Sequence, residues 1–275
     1  MTSGQEKPSF LGPQYASAFE DPTVVASYHT RPPYPEAVFD IVERLLQECP
    51  GAVLDLGCGP GNIARRLVGD PSLAGLVKRV DALDVSPAMI AAGRQSPDGD
   101  HPRLRWLLGR AEAAPLSPPY ALVTAAASLH WMDWPVVLPR LCDALLPAGR
   151  LLIVVDDALP PPWHHELIPI LKRYSTNQEF RPGFDLVAAL QERGLLDLER
   201  RLRTEPVVFR QPVAAYVESF HARSGFSRSR MTPEALAAFD AAVHSLVSRH
   251  DVETVELQVV AHVAWGRPLR PDDGA

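Results

Sequence analysis

No apolar run in the sequence approaches the roughly 18 residues needed to span a bilayer. The first ten residues, MTSGQEKPSF, lack the basic-then-apolar order of a secretory leader. Both absences lead us to expect a soluble, cytoplasmic protein with no membrane partner. Cysteine is scarce: Cys49, Cys58 and Cys142 are odd in number, far apart and without a C-x-x-C pair. That pattern argues against a disulfide framework and a thiolate zinc site, and fits reduced thiols. Excess positive charge is missing too. With a formal charge of −6 and no basic patch, the chain has no general attraction for nucleic acid. The arginines of 193–203 are interleaved with Glu192, Asp197 and Glu199, as on a solvated surface. No internal repeat is present.

What the chain does have is the composition of a globular protein, 46% hydrophobic and 22% charged, in 275 residues, enough for one large α/β domain or a core with a lid. Proline is plentiful at 28 residues, clustered at Pro32-Pro33-Tyr34-Pro35, at 115–119 and at 160–162. Such clusters break helices and central strands and so mark connections. Between them the spacing predicts a helix over 35–47, with Val38, Ile41, Val42, Leu45 and Leu46 on one face and Pro35 in its first turn. Strands follow at 52–56, 79–85, 103–108, 120–128 and 150–155, and helices at 62–68, 87–94 and 134–146. Pro139 inside the last helix would cost roughly 3 kcal/mol in a helix interior, so that helix either starts late or bends.

Beyond Asp157 the pattern changes to a helix near 184–193, an extended stretch over 198–209, helices at 213–221 and 233–248, and a final strand at 255–265. Repeated β-α-β units with short links predict an α/β fold with a Rossmann-like, doubly wound, seven-stranded, mainly parallel sheet. The late strands add a C-terminal antiparallel hairpin with helical lid insertions. We divide the chain into an N-terminal lid segment (1–34), a core (35–156) and a C-terminal part that completes the sheet and lid (157–275).

The core opens with VLDLGCGPGN at 53–62. Gly57, Gly59 and Gly61 follow a predicted buried strand directly, and glycine is the residue that tolerates positive φ and close approach of a ligand. In open α/β sheets the first strand-to-helix loop lines the ligand crevice. The spacing is G-x-G-x-G rather than the G-x-G-x-x-G of dinucleotide binders, and Pro60 removes one amide that would cradle phosphate. That favours a smaller, cationic cofactor over a nicotinamide dinucleotide. Asp84, at the end of the second predicted strand, is placed to accept hydrogen bonds from both hydroxyls of a ribose.

VLDLGCGPGN, LDVSPAMI (83–90), ASLHWMDW (127–134) and LLPAGRLLI (145–153) together resemble class I S-adenosylmethionine-dependent methyltransferases, and most closely the trans-aconitate methyltransferase type. The resemblance spans roughly residues 28–156. It implies that Gly57, Gly59 and Gly61, with Asn62 beside them, pass close to S-adenosylmethionine, that Asp55 faces its ammonium group and that Asp84 holds its ribose. It also implies that Val85 and Met89 pack near the adenine, and that Ala127 to Trp131 border cofactor and substrate. Where the family often has an aspartate before an alanine after the third strand, this chain has Arg110, leaving the Ala111 backbone or Glu112 for adenine recognition. SYHTRPPYP (27–35) matches an element that folds over the cofactor in similar sequences. It offers Tyr28 as a lid residue and Arg31 as a partner of the cofactor carboxylate, as a helix cap or as a side chain in solvent.

The resemblance leaves the acceptor open. A carboxylate acceptor needs no base and calls for cationic or hydrogen-bonding groups, whereas a hydroxyl or amine benefits from a base such as histidine. His130, after the fourth strand and beside Trp131, is either that base or an orienting, packed histidine. Trp163, Tyr174 and His221 are candidate substrate-lining residues, with His164, His165 and Arg223 as further possibilities. The adjacent His164 and His165 make a poor zinc site. A small molecule is the expected substrate. The competing readings are a protein of this fold that binds the cofactor without methylating, and a nicotinamide oxidoreductase.

Overall fold

The apolar stripe at 35–47 folds as a helix over Glu36–Glu48, with Pro35 just ahead of it and Val38, Ile41, Val42, Leu45 and Leu46 buried. It belongs to a computed structural model that describes residues 7–271. The N-terminal residues 1–6, on which part of the leader and lid readings fall, lie outside the described residues. In chain order the helices are α1 (Pro13–Ala16), α2 (Pro22–Ser27), α3 (Glu36–Glu48), α4 (Asn62–Gly69), α5 (Pro87–Arg94), α6 (Trp134–Ala144), α7 (His164–Tyr174), α8 (Leu186–Glu192), α9 (Val213–His221) and α10 (Pro233–Ser248). The strands are β1 (Gly51–Leu56), β2 (Val77–Asp84), β3 (Leu104–Leu108), β4 (Tyr120–Ala126), β5 (Leu145–Ala158), β6 (Leu196–Arg203), β7 (Val207–Pro212) and β8 (Thr254–Pro268). No helix among the described residues is long and apolar enough to cross a membrane.

The sheet order is β3-β2-β1-β4-β5-β8-β6, with β7 also on β8. β1 to β5 are mutually parallel, while β8 runs antiparallel to its three neighbours. The strand order reverses between β1 and β4, which opens a crevice at their carboxyl ends. The α/β fold and late antiparallel hairpin expected from the sequence are both present. Among the described residues there are eight strands rather than seven, because the extended stretch over 198–209 is broken at Thr204-Glu205-Pro206. Thr204 stitches the break: its backbone N–H donates to the Ala261 carbonyl and its Oγ1 accepts from the Ala261 N–H, both at 2.9 Å.

Three apolar clusters hold the layers. α3 and α4 cover one face of the sheet; α6 and α8 cover the other. α7, α9 and α10 pack around Phe220 and Phe239 over β7 and the first half of β8. Pro139 neither delays nor ends α6, which runs unbroken from Trp134. The carbonyl that loses its partner belongs to Pro135, an exposed residue of the first turn, where water can reach it. α7 carries Pro169 in the same way, with exposed His165 four residues before it. β5 extends well beyond the predicted 150–155, and its extra residues Asp156, Asp157 and Ala158 pair with Ala261, Val260 and Val259 of β8.

Candidate functional site

At the carboxyl ends of β1, β2 and β4 lies a cleft of about 940 Å³, counting its open mouth. β1 is buried throughout and hands the chain to the glycine loop. Gly57 and Gly59 line the cleft with φ of 66° and 55°. A Cβ on Gly57 would stand 2.5 Å from the Ser128 Cβ, so the bare backbone there is required. Asp84, at the end of β2, is 9% exposed; its Oδ2 accepts from the Gly59 N–H at 2.7 Å and its Oδ1 from the Ser86 N–H at 2.8 Å. Burial raises its pKa against these bonds. Ser86 then caps α5 by accepting from the Met89 N–H, which places Val85 and Met89 on the cleft wall.

Ala111, Glu112 and Ala127 also line the cleft, as do Arg110 and Trp131. Arg110 turns toward Glu112 at 3.4 Å, and Glu112 accepts from the Asp133 N–H at 3.0 Å. Ala127 holds φ of 50°, unusual for a residue with a side chain, while its N–H donates to the Val154 carbonyl at 2.8 Å. The opposite wall is N-terminal. Pro13, Ala16, Ser17, Phe19 and Glu20 face the glycine loop, with Tyr28 and Arg31 beyond them. Tyr28 Oη is 3.5 Å from the place a Gly59 Cβ would occupy. Of these, only Tyr28 and Arg31 were legible as site residues. The caps Gly12-Pro13 and Asp21-Pro22-Thr23 were the available signals for the short helices that carry the others.

Arg31 caps the single turn Tyr28–Thr30, its backbone N–H donating to the Tyr28 carbonyl at 3.2 Å, and its side chain does more. Its Nη2 pairs with Asp156 Oδ2 at 2.8 Å and its guanidinium lies over the Tyr28 ring. Against the cost of burial, this pair holds the Asp156 carboxyl below its ordinary range.

Gly61 and Asp55 lie off the wall of the main cleft. Gly61, at φ of 75°, opens α4, and a Cβ there would stand 2.5 Å from the Trp106 ring; the ring fills the space between Gly61 and Gly93. Gly61 makes room for packing and is not on the cleft wall. Asp55, 2% exposed, accepts from Thr124 Oγ1 at 2.8 Å and from the Ala64 N–H at 3.1 Å. It lines a small recess behind the loop with Tyr34, Cys58 and Asn62, and Asn62 Oδ1 accepts from Arg65 at 3.2 Å.

Burial pushes the Asp55 carboxyl up to about 6, against its two hydrogen bonds. A carboxyl raised from an unfolded value near 3.8 keeps its proton better in the fold. Its contribution is therefore present at low pH and lost as pH rises through about 6, on the order of 3 kcal/mol. We expect Asp55→Asn to melt progressively higher relative to the wild type as pH rises from 4 to 7. Parallel melting curves across that range would contradict the buried ionisation.

His130 is half-buried, its ring 4.6 Å from that of Trp131, and it is not among the residues lining the cleft. Burial and the positive charges of Lys7 and Arg31 bring its imidazole down to about 4, against the pull of Asp156. The three candidate substrate-lining aromatics are displaced from the site. Trp163 and Tyr174 pack in the cluster of α7, α9 and α10. His221, fully buried, is bonded at Nδ1 to the Phe226 carbonyl and at Nε2 to Asp240, both at 2.8 Å. An inserted segment needs its own core, and these side chains supply it. The His164 and His165 rings meet edge to face, 6.1 Å between centroids, and no cluster of three metal-ligating residues occurs among the described residues. Arg223 reaches solvent but is hemmed in by protein. Burial and Arg31 lower its guanidinium, against Asp156 and Asp157.

A doubly wound sheet, a positive-φ glycine loop and a carboxylate closing β2 define a Rossmann-like α/β protein with a nucleoside-type crevice. Residues 53–149 match the family model described as a methyltransferase domain, the same stretch in which the motifs resemble that family. Trans-aconitate 2-methyltransferase of Methylobacterium nodulans is 32% identical over 157 residues, 56% of this chain and 55% of that protein. The protein of the same name from Methylobacterium radiotolerans is 36% identical over 128 residues, 46% and 45% of the two chains. The chain spans about half the length of these curated relatives. A solved structure, a candidate type II methyltransferase from Anaeromyxobacter dehalogenans, shares the fold with a TM-score of 0.57 at 23% identity, over 87% of this chain and 99% of that one.

Proposed function

We propose that this protein is an S-adenosylmethionine-dependent methyltransferase acting on a small molecule, and that the accepting group is a carboxylate. The observation that carries the cofactor reading is the Asp84–Gly59 contact at the cleft floor, with Tyr28 above it. The residues fit such a ligand. Gly57 and Gly59 would let it approach the backbone, Asp84 would receive its ribose, Val85 and Met89 would flank its base, and Ala111 or Glu112 would meet the base edge. Asp55 and Asn62 would act from behind the loop, and Ala127 and Trp131 would lie at the reacting end. When bound, S-adenosylmethionine supplies an electrophilic sulfonium methyl. We assign residues 1–34 to a lid segment, 35–156 to the cofactor core and 157–275 to the sheet completion and substrate lid.

The acceptor reading rests on charge. An imidazole drawn down to about 4 stays neutral at pH 7 and is a weak base for a hydroxyl. The charges around His130 are mostly positive: Lys7, whose Nζ donates to the Met132 carbonyl at 3.1 Å, Arg31, which is itself paired with Asp156, and beyond it Arg223. Such groups would orient an anion that needs no deprotonation, and orientation is the larger part of the task. His130 would position the acceptor rather than take its proton.

Trans-aconitate, the acid for which the relatives are named, is the first acceptor to assay, within a panel of carboxylic acids and hydroxyl compounds read by release of S-adenosylhomocysteine. We expect turnover with acids and His130→Gln to keep kcat within about threefold, since proton transfer by a base typically contributes 10²–10⁴-fold. A drop of a hundredfold or more, or turnover confined to hydroxyl compounds, would defeat the carboxylate reading. Ligand binding without any S-adenosylhomocysteine release would favour a binding or non-methylating protein.

A further inference from the structure

One wall of the cleft is lined by residues between 13 and 31, and Glu218, Ser229 and Arg230 of the distant insertion reach that segment, Arg228 acting through Glu218. Arg228 pairs with Glu218 Oε2 at 2.5 Å, and Glu218 Oε1 accepts a hydrogen bond from Ser27 Oγ. Ser27 directly precedes Tyr28, and its carbonyl also accepts from Thr30 Oγ1 at 2.6 Å, so the turn carrying Tyr28 and Arg31 is fixed at that point. Ser229 lies against Asp21 at the start of α2; against the cost of burial, it and Thr23 hold the Asp21 carboxyl below its ordinary range. Arg230 donates to the Gln14 carbonyl and rests over the Tyr15 ring, 5.1 Å from its centroid.

We propose that Glu218, backed by the Arg228-Ser229-Arg230 run, is a positioning residue that latches the 13–31 wall over the cleft and so sets how tightly the nucleoside cofactor is held and how fast its product leaves. The latch touches no residue of the glycine loop and acts through Ser27 on Tyr28. Tyr28 lies beside Gly59 on the wall facing it, so the freedom of this wall to move bears on how a ligand seated against Gly59 enters and leaves. The prolines at 32, 33 and 35 immediately follow and restrict the chain there. The inserted segment is thereby given a second task besides covering the substrate end.

This inference rests on the cofactor reading above, and the test separates the two. Hydrogen exchange of the 14–31 amides, which needs no ligand, is compared in the wild type, Glu218→Ala and Glu218→Gln. S-adenosylhomocysteine affinity and dissociation rate are measured on the same proteins. We expect Glu218→Ala to exchange at 14–31 about tenfold faster than the wild type, with the core helices unchanged. It should release S-adenosylhomocysteine about tenfold faster and bind it correspondingly more weakly. Its KM for S-adenosylmethionine should rise while kcat at saturation does not fall, and Glu218→Gln, which can still accept from Ser27, should recover part of the effect. Should Glu218→Ala not fold, Arg230→Ala gives the same comparison from the surface side. Unchanged exchange at 14–31, or faster exchange with unaltered release and affinity, overturns the latch. A wild type that binds no S-adenosylhomocysteine overturns the cofactor reading instead, while the exchange result still reports on the wall.

Discussion

Asp84→Ala weakens S-adenosylmethionine binding by at least a hundredfold, about 2.7 kcal/mol or more, while the protein stays folded. Hydrogen bonds to a charged acceptor contribute roughly 1.5–3 kcal/mol each, and this carboxylate is placed to receive two from a ribose. It also organises the loop, through Gly59, and the start of α5, through Ser86. Loss of the side chain leaves both buried amides without their acceptor, but the space it vacates opens onto the cleft that Asp84 and Gly59 line, so water can enter it and the cost in stability is smaller than the cost in binding. Titration calorimetry beside a melting curve checks both halves. Near-normal affinity would refute the ribose assignment.

The second large effect is on the fold. Gly57→Val places a branched side chain at φ of 66°, with its Cβ 2.5 Å from the Ser128 Cβ. Ser128 has no freedom to retreat, since its Oγ donates to the Leu56 carbonyl at 2.6 Å. Backbone strain and overpacking, each of roughly 1–3 kcal/mol, add here. At about 2–4 °C per kcal/mol for a chain of this size, the melting temperature falls by roughly 4–24 °C. Gly59→Ala, whose added Cβ would meet nothing nearer than Tyr28 Oη at 3.5 Å, should melt closer to the wild type. Equal losses for the two variants would show that φ alone, and not the Ser128 contact, sets the cost.

The core was legible because its signals are local. α5, α9 and α10 start and stop where the periodicity and the caps Ser86-Pro87, Pro212 and Thr232-Pro233 place them. The ends of β5 were not legible, because Pro147 and Gly149 look like a loop and Asp156 and Asp157 look like a surface. Only pairing with β8, about a hundred residues later, makes them strand.

The same distance problem limits the site. Arg31 gave no sign of Asp156, 125 positions away, so ion pair, cap and free cation were equivalent until the fold joined them. Trp163, Tyr174 and His221 carried the side chains of a pocket, but aromatic and histidine side chains serve an insertion's own core equally well, and here they do. The wall formed by 13–20 went unread because α1 and the turns beside it are too short to show a period.

The position of β8 has a consequence for how the chain assembles. The side of β5 away from β4 acquires its partner only when β8 arrives, yet β5 ends at Ala158 and β8 begins at Thr254. Until then a half-built sheet offers an open row of Leu151, Leu152, Ile153 and Val154, the kind of margin that recruits stray strands. A ribosome must deliver roughly a hundred residues in that interval, at about 5–20 per second, so the exposed margin persists for seconds. Yield in a host should therefore depend on chaperone supply more than the finished molecule's melting point suggests.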